Sequence, residues 1–363
     1  MADFSHPLMG ADPATLCGAL IRNRGVSWKC IPHALTFLCA SLARGPITLL
    51  ERAMMGGKEP EMKTPVFIVG HWRSGTTHLH NLIGCSKEFG IISPLAAGLP
   101  WETLTLASWL RPLLELALPK DRGVDRVAVT GGSPQEDEIP VASMQPYSVF
   151  HAIYFPKRFE KNFSEGVFFD GLSDEEIGKW GAKMQYFLRK VARHQGGKRL
   201  LIKNPVYTAR VRRIREIWPD ARFIHIYRNP YTVYASTVRY FKKLLPSLAL
   251  QSHASLDVEE LVLKTYPRMM DELYDSAEEL EVSEFAEVRF EELEKEPMGV
   301  LERLYRNLDL EDWATARETT DAYLKSIDDY RKNKFTISEE DRATVDRHWG
   351  KYVKKWGYEA PVD

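Results

Sequence analysis

The chain of 363 residues has little cysteine, no excess of charge of either sign, and no long hydrophobic run. Four cysteines, Cys17, Cys30, Cys39 and Cys85, include no CxxC pair. That is too few for a disulfide scaffold and fits a reducing, cytoplasmic setting. Lys and Arg number 49 against 50 Asp and Glu, a net charge of −1. A polyanion binder needs a positive excess, so no nucleic-acid partner is expected, although a local basic pocket is allowed. No internal repeat or low-complexity tract is present. The first cation is Arg22, so the N-terminus does not read as a signal peptide. The longest weakly polar stretch, residues 30–43, contains Pro32 and His33 and is closed by Arg44. A spanning helix needs about 20 apolar residues. The stretch therefore reads as a packed helix, with peripheral membrane contact through residues 22–44 as the alternative.

What is present suits a large core: 44% of residues are hydrophobic and 11% aromatic. Residues 1–60 read as an N-terminal helical extension, ending in the turn-rich 56–60, and residues 61–363 as the main domain. Residues 65–70 form a short, β-branched apolar run that ends in Gly, as a buried parallel strand does. Leu79, Leu82 and Ile83 then follow a helical period. Residues 199–203 and 222–228 read as further buried strands. Between them Val211, Ile214 and Trp218 mark a helix. Asn229-Pro230 is a helix start, and residues 287–290 are a candidate fourth strand. Strands alternating with helices predict an α/β, three-layer, P-loop-like fold with a mainly parallel central sheet flanked by helices. Ligands of such sheets bind beyond the strand C-termini. The Glu-rich stretch 278–296 reads as a solvated face.

Gly70-His-Trp-Arg-Ser-Gly75-Thr-Thr77 has the spacing of a phosphate loop between a strand and a helix. Its backbone N–H groups and the helix N-terminus form an anion cradle. A nucleotide triphosphatase needs Lys before the last Ser/Thr, where this chain has Thr76, and an Asp at a nearby strand end to help hold Mg²⁺. Here the cation is Arg73, within the loop, and the strand 222–228 ends in Arg228. Two arginines without a metal suit a ligand with two separate anionic ends.

Residues 66–77 resemble the 5′-phosphosulfate loop of sulfotransferases that use 3′-phosphoadenosine 5′-phosphosulfate (PAPS). Residues 222–236 are similar to their 3′-phosphate segment, with Arg228 and Ser236 at the family spacing of eight. The resemblance covers roughly residues 64–357, densely at these motifs. It is nearest to bacterial sulfotransferases with Arg in the loop. It implies transfer of a sulfuryl group from PAPS to a hydroxyl or amine, without a metal. Arg73 would stabilise the bridging oxygen, and Ser74, Gly75, Thr76 and Thr77 would cradle the 5′-phosphate. Arg228 and Ser236 would grip the 3′-phosphate.

The chain departs from the cytosolic members at three places. Lys203 matches a family lysine, but Pro205 stands where the catalytic histidine would be. His78 replaces the tryptophan that packs on adenine. The upstream Arg-Lys-Gly signature near the C-terminus is absent, which leaves Lys325, Arg331 or Lys332 as nearby cations. The base must come from elsewhere. The similar bacterial enzymes carry a Pro-x-Glu-Asp-Glu cluster, here residues 134–138, and mutual repulsion among its carboxylates would raise one pKa. Glu136 is the first candidate and Glu138 the second, with His151 and Glu102 as weaker rivals. The competing reading makes Ser133-x-x-Glu136 a helix capping box with Pro134 at the first helical position. Leu, Pro and aromatic residues such as Trp101, Trp109, Tyr147 and Phe150 in 91–170 suggest an acceptor pocket as well as core, for a small or lipid-like alcohol. Two other readings compete: a P-loop kinase or phosphotransferase, and a non-catalytic nucleotide-binding or membrane-associated scaffold. No feature specifies an oligomeric state.

Overall fold

A computed structural model describes residues 6–56, 62–109, 111–112, 131–326 and 337–361. The chain forms two compact units. One comprises residues 1–63, 90–200 and 244–256, and the other 64–89, 201–243 and 257–363. The N-terminal helices share their unit with residues 90–200 and 244–256.

The second unit is built on the sheet. Strands β1 (Val66–Val69), β2 (Phe89–Gly90), β3 (Arg199–Lys203), β4 (Arg222–Tyr227) and β5 (Phe285–Arg289) lie in the order β2-β3-β1-β4-β5. β1 pairs in parallel with β3 and β4, placing Val66 opposite Leu201 and Arg222. β4 pairs in parallel with β5, with Phe223 opposite Phe285. Every residue of β1 is buried, because a central parallel strand is covered on both faces. Val66, Ile68, Ile224 and Ile226 share one cluster with Leu79 and Leu82 of the helix Thr76–Gly84 and with Leu301 and Leu304. On the alternate side-chain positions Phe67 stacks on Phe223 and meets Tyr207 and Trp218. Tyr266, from the helix Val258–Ala277, stacks on Trp349 of the helix Glu339–Trp356 at 3.9 Å.

The expected strands at 65–70, 199–203, 222–228 and 287–290 correspond to β1, β3, β4 and β5. The two-residue β2 is too short to leave a pattern. Asn229 caps as expected: its Oδ1 accepts the Tyr231 N–H at 3.1 Å where the helix Pro230–Leu248 begins. The Glu-rich stretch is not simply a solvated face. Glu287 accepts bonds from Tyr274 and pairs with His225, while Glu291 accepts from the Asn229 N–H and from Tyr358.

The first unit is helical. Its longest elements are Ile31–Met54 and Asp174–His194, the latter opened by a Ser173/Glu176 capping box. Residues 30–43 are thus only part of a longer helix. Arg44 does not end the helix, because its side chain turns inward to Glu102 at 3.1 Å. Glu51 and Lys190, both fully buried, form an ion pair at 2.5 Å.

Candidate active site

The site starts at the C-terminal end of β1. Gly70 has φ +145°, and a Cβ there would lie 2.4 Å from the Ile226 carbonyl oxygen. Only glycine fits this approach. Its N–H donates to Thr208 Oγ1 at 2.8 Å. His71 is buried between Trp72 and Tyr266, and burial holds its imidazole down to about 3, hence neutral. Arg73 adopts φ +69°, and the Ser74 N–H closes the turn onto the His71 carbonyl at 3.2 Å. Gly75, at φ +102°, is the N-cap of the helix Thr76–Gly84, whose first turn presents backbone N–H groups. The Ser74 hydroxyl is buried and has no protein partner. An orphaned buried hydroxyl costs about 1–3 kcal/mol unless something bonds it. Here it sits in a turn at a helix N-terminus, where backbone N–H groups favour an anion.

Four side chains from other elements gather around this turn. Arg73 Nε donates to Ser236 Oγ at 3.0 Å, and Ser236 is itself buried in the helix Pro230–Leu248. Lys203, the last residue of β3, donates from Nζ to Thr77 Oγ1 at 3.3 Å. Arg228 follows β4, with its guanidinium 4.2 Å over the Phe290 ring. Burial lowers the pKa of Arg228, Glu291 and Glu294 oppose that shift, and Arg73 adds to it, so the two arginines sense each other's charge. Ser236, expected to join Arg228 at a 3′-phosphate, accepts a bond from Arg73 here. The partly buried His78 meets Phe290 edge-on at 6.3 Å.

Phe290 is the residue that sequence reasoning missed. It touches three parts of the site. A Cβ on Gly75 would lie 2.2 Å from its ring, and Arg228 and His78 pack on it. The only signal was its place at the end of the expected fourth strand.

The proposed acid cluster lies in the other unit. Residues 133–136 precede any helix, and the helix Glu138–Ala142 starts at Glu138 with no side-chain cap from Asp137. The Ser133/Glu136 capping box therefore does not form. Glu138 is buried, and its Oε1 accepts the Val149 N–H at 3.0 Å. Glu136 is partly buried. The rivals have structural partners. The ring nitrogens of His151 lie 2.9 and 2.8 Å from the carbonyls of Pro146 and Ala142, and burial lowers its pKa to about 4. Burial raises the pKa of Glu102, which is held by Arg44 and Thr48. Tyr147, Phe150 and Trp101 are core residues, whereas Trp109 is exposed. Lys325 is exposed and pairs with Asp321 at 2.6 Å. Arg331 and Lys332 lie outside the described residues.

Two arginines, a lysine and an orphaned hydroxyl around a glycine turn make a site for anionic groups. A family model described as the sulfotransferase family matches residues 65–315. The chain belongs to the sulfotransferase family. It is an enzyme of sulfuryl transfer, and the phosphotransferase and scaffold readings are set aside. Over 362 residues it is 31% identical to the omega-hydroxy-beta-dihydromenaquinone-9 sulfotransferase Stf3 of Mycobacterium bovis, covering 98% of this chain and 92% of that one. The Mycobacterium tuberculosis protein of the same name gives the same figures. Among solved structures, sulfotransferase STF9 from Mycobacterium avium has a TM-score of 0.67 at 14% identity, covering 97% of this chain and 98% of that one. STF1 from Mycobacterium tuberculosis has a TM-score of 0.62 at 16% identity, covering 93% and 90%. At these identities the two structures support the fold of this sulfotransferase.

Proposed function

We propose that this sulfotransferase moves the sulfuryl group of PAPS to a hydroxyl on a lipid-like acceptor. The observation that carries the donor assignment is the turn at 70–77, where the buried Ser74 hydroxyl has no partner and Arg73, Lys203 and Arg228 converge. In this reading Ser74, Gly75, Thr76 and Thr77 hold the 5′-phosphate. Arg228 holds the 3′-phosphate, and Phe290 and His78 form the apolar wall beside it. Ser236 fixes the direction of Arg73 and lies on the 3′-phosphate side.

The acceptor oxygen attacks sulfur as the bond to the bridging oxygen breaks, and 3′-phosphoadenosine 5′-phosphate leaves. Negative charge grows on that bridging oxygen. Arg73 and Lys203 stabilise it, and preorganised donors of this kind are the largest electrostatic contribution in comparable transfers. The acceptor proton passes to a carboxylate. Glu136 is the first choice, since one oxygen of Glu138 already accepts the Val149 N–H.

The acceptor class is supported by the relatives, whose names state a hydroxylated menaquinone acceptor. A terminal hydroxyl on a long isoprenoid lipid is the corresponding substrate here. The four cysteines are free thiols, which fits a cytoplasmic enzyme peripheral to the membrane that holds such a lipid.

The test is product mass spectrometry with PAPS and an omega-hydroxylated isoprenoid quinone, comparing Glu136→Gln with Glu138→Gln. The expected result is a sulfated product whose formation falls about 10²–10⁴-fold in Glu136→Gln. Full turnover in both variants would remove the acid cluster from the reaction. No product from any hydroxylated lipid would remove the acceptor class.

A further inference from the structure

The helix Ile31–Met54 is amphipathic in the inverted sense. The side that packs into its own unit is largely polar. Inward positions recur at Phe37, Ser41, Arg44, Thr48 and Glu51, the spacing of one helical face. Ser41 Oγ donates to the Ala11 carbonyl at 2.8 Å. Arg44 donates to the carbonyls of Met9 and Ala11 and to Glu102. Thr48 donates to Glu102, and Glu51 binds Lys190 and accepts from the N–H groups of Leu104 and Thr105.

The opposite side is apolar and open to solvent. Trp28 is 77% exposed, Leu35 57%, Leu42 58% and Leu49 65%, with Ile31 beside them. At 100° per residue, positions 31, 35, 42 and 49 fall within about 40° of one another, centred about 135° from the inward set. A soluble helix places these two classes the other way round.

Charge on the segment is one-sided as well. No Asp or Glu occurs from Pro13 to Leu50. Of its four Lys and Arg residues, Arg22 pairs with Glu165 and Arg44 with Glu102. Arg24 and Lys29 are exposed at the end of the stripe, next to Trp28.

We propose that this stripe docks the enzyme on an anionic lipid bilayer, with the helix lying in the headgroup layer, Trp28 at its edge, and Arg24 and Lys29 on acidic headgroups. Trp28–Met54, at 27 residues, is long and apolar enough to cross a membrane. Crossing would strip Arg44 and Glu51 from their buried partners, whereas lying flat keeps every one of those bonds. A second copy of the chain is the poorer occupant. A two-fold interface would set this acid-free face against itself, with no anion to meet Arg24 and Lys29. The proposal deepens the reading of a lipid-like acceptor, because docking brings the enzyme to the phase that holds it. It is measured without donor or acceptor, so it can fail independently of that reading.

The test is co-sedimentation of the full chain with phosphatidylcholine vesicles, with and without phosphatidylglycerol, beside light scattering. The expected result is binding that requires phosphatidylglycerol. The double variant Leu42→Glu/Leu49→Glu should partition at least about ten-fold more weakly, since two leucines no longer leave water. Arg24→Glu/Lys29→Glu should lose about five-fold per charge removed. Both variants should keep binding of 3′-phosphoadenosine 5′-phosphate, which reports an intact fold. Vesicle binding equal in wild type and both variants would overturn the proposal. So would a dimer that Leu42→Glu/Leu49→Glu dissolves, in a protein that never pellets with vesicles.

Discussion

The two units of this sulfotransferase place their buried charges differently. In the helical unit the buried charges face one another: Glu51 with Lys190, and Glu102 with Arg44. Each pair ties segments that are distant in sequence. In the sheet unit Arg73 and Lys203 bond the hydroxyls of Ser236 and Thr77 around a glycine turn, and Arg228 beside them feels the charge of Arg73 as well as that of Glu291 and Glu294. In the proposed reading the anionic donor completes these cations. On that reading the buried pairs of the first unit serve stability, and Arg73, Lys203 and Arg228 of the second serve a ligand. Substitutions on the two sides should therefore separate into two classes of phenotype.

The largest effect should come from the helical unit. Lys190→Ala leaves Glu51 buried without its cation. The loss should be about 3–5 kcal/mol in urea unfolding, with donor-analogue affinity of the folded fraction unchanged. The double change Lys190→Met/Glu51→Leu should restore most of it. Arg73→Ala should invert this pattern: kcat falls about 10²–10³-fold while the urea midpoint barely moves. A stability loss in Arg73→Ala as large as in Lys190→Ala would erase the distinction.

Much of the sheet unit's site was legible because its parts are adjacent in sequence. The turn 70–77 and the segment Arg228-Asn229-Pro230 carry their chemistry within a few residues, and buried parallel strands show as unbroken apolar runs. Parts that depend on distant packing were not legible. Phe290 reaches Gly75 only through the fold. Arg44 looked like the end of a helix because its partner, Glu102, is 58 residues away. The rival reading of the acid cluster was a capping box, yet the helix begins only at Glu138, whose carboxylate accepts the Val149 N–H.

Acid should weaken both units, through one buried histidine in each. His71 and His151 are neutral when folded, with pKa values lowered to about 3 and about 4 by burial. The unfolded chain takes up protons first, near 6.5, so their stability contribution is complete above that pH. It is lost as pH falls toward about 4 for His151 and about 3 for His71. Between pH 6.5 and 4.5 the loss should be roughly 2–3 kcal/mol from each. His151→Gln should remove its share of the slope in a pH series of denaturation midpoints; an unchanged slope would show that His151 does not titrate in this way.

The smallest effect should be Ser236→Ala. It removes the hydroxyl that Arg73 Nε holds at 3.0 Å. The expected cost is about 1.5 kcal/mol, roughly ten-fold in kcat/KM, with no loss of stability. An unaltered kcat/KM would show that the bond does not orient Arg73 for reaction.

The most direct test of the donor site is calorimetric titration of the purified protein with 3′-phosphoadenosine 5′-phosphate, beside ATP with Mg²⁺. The account predicts micromolar binding of the bisphosphate that needs no metal and is lost in Arg228→Ala. Tight binding of ATP with Mg²⁺ and no response to the bisphosphate would contradict it.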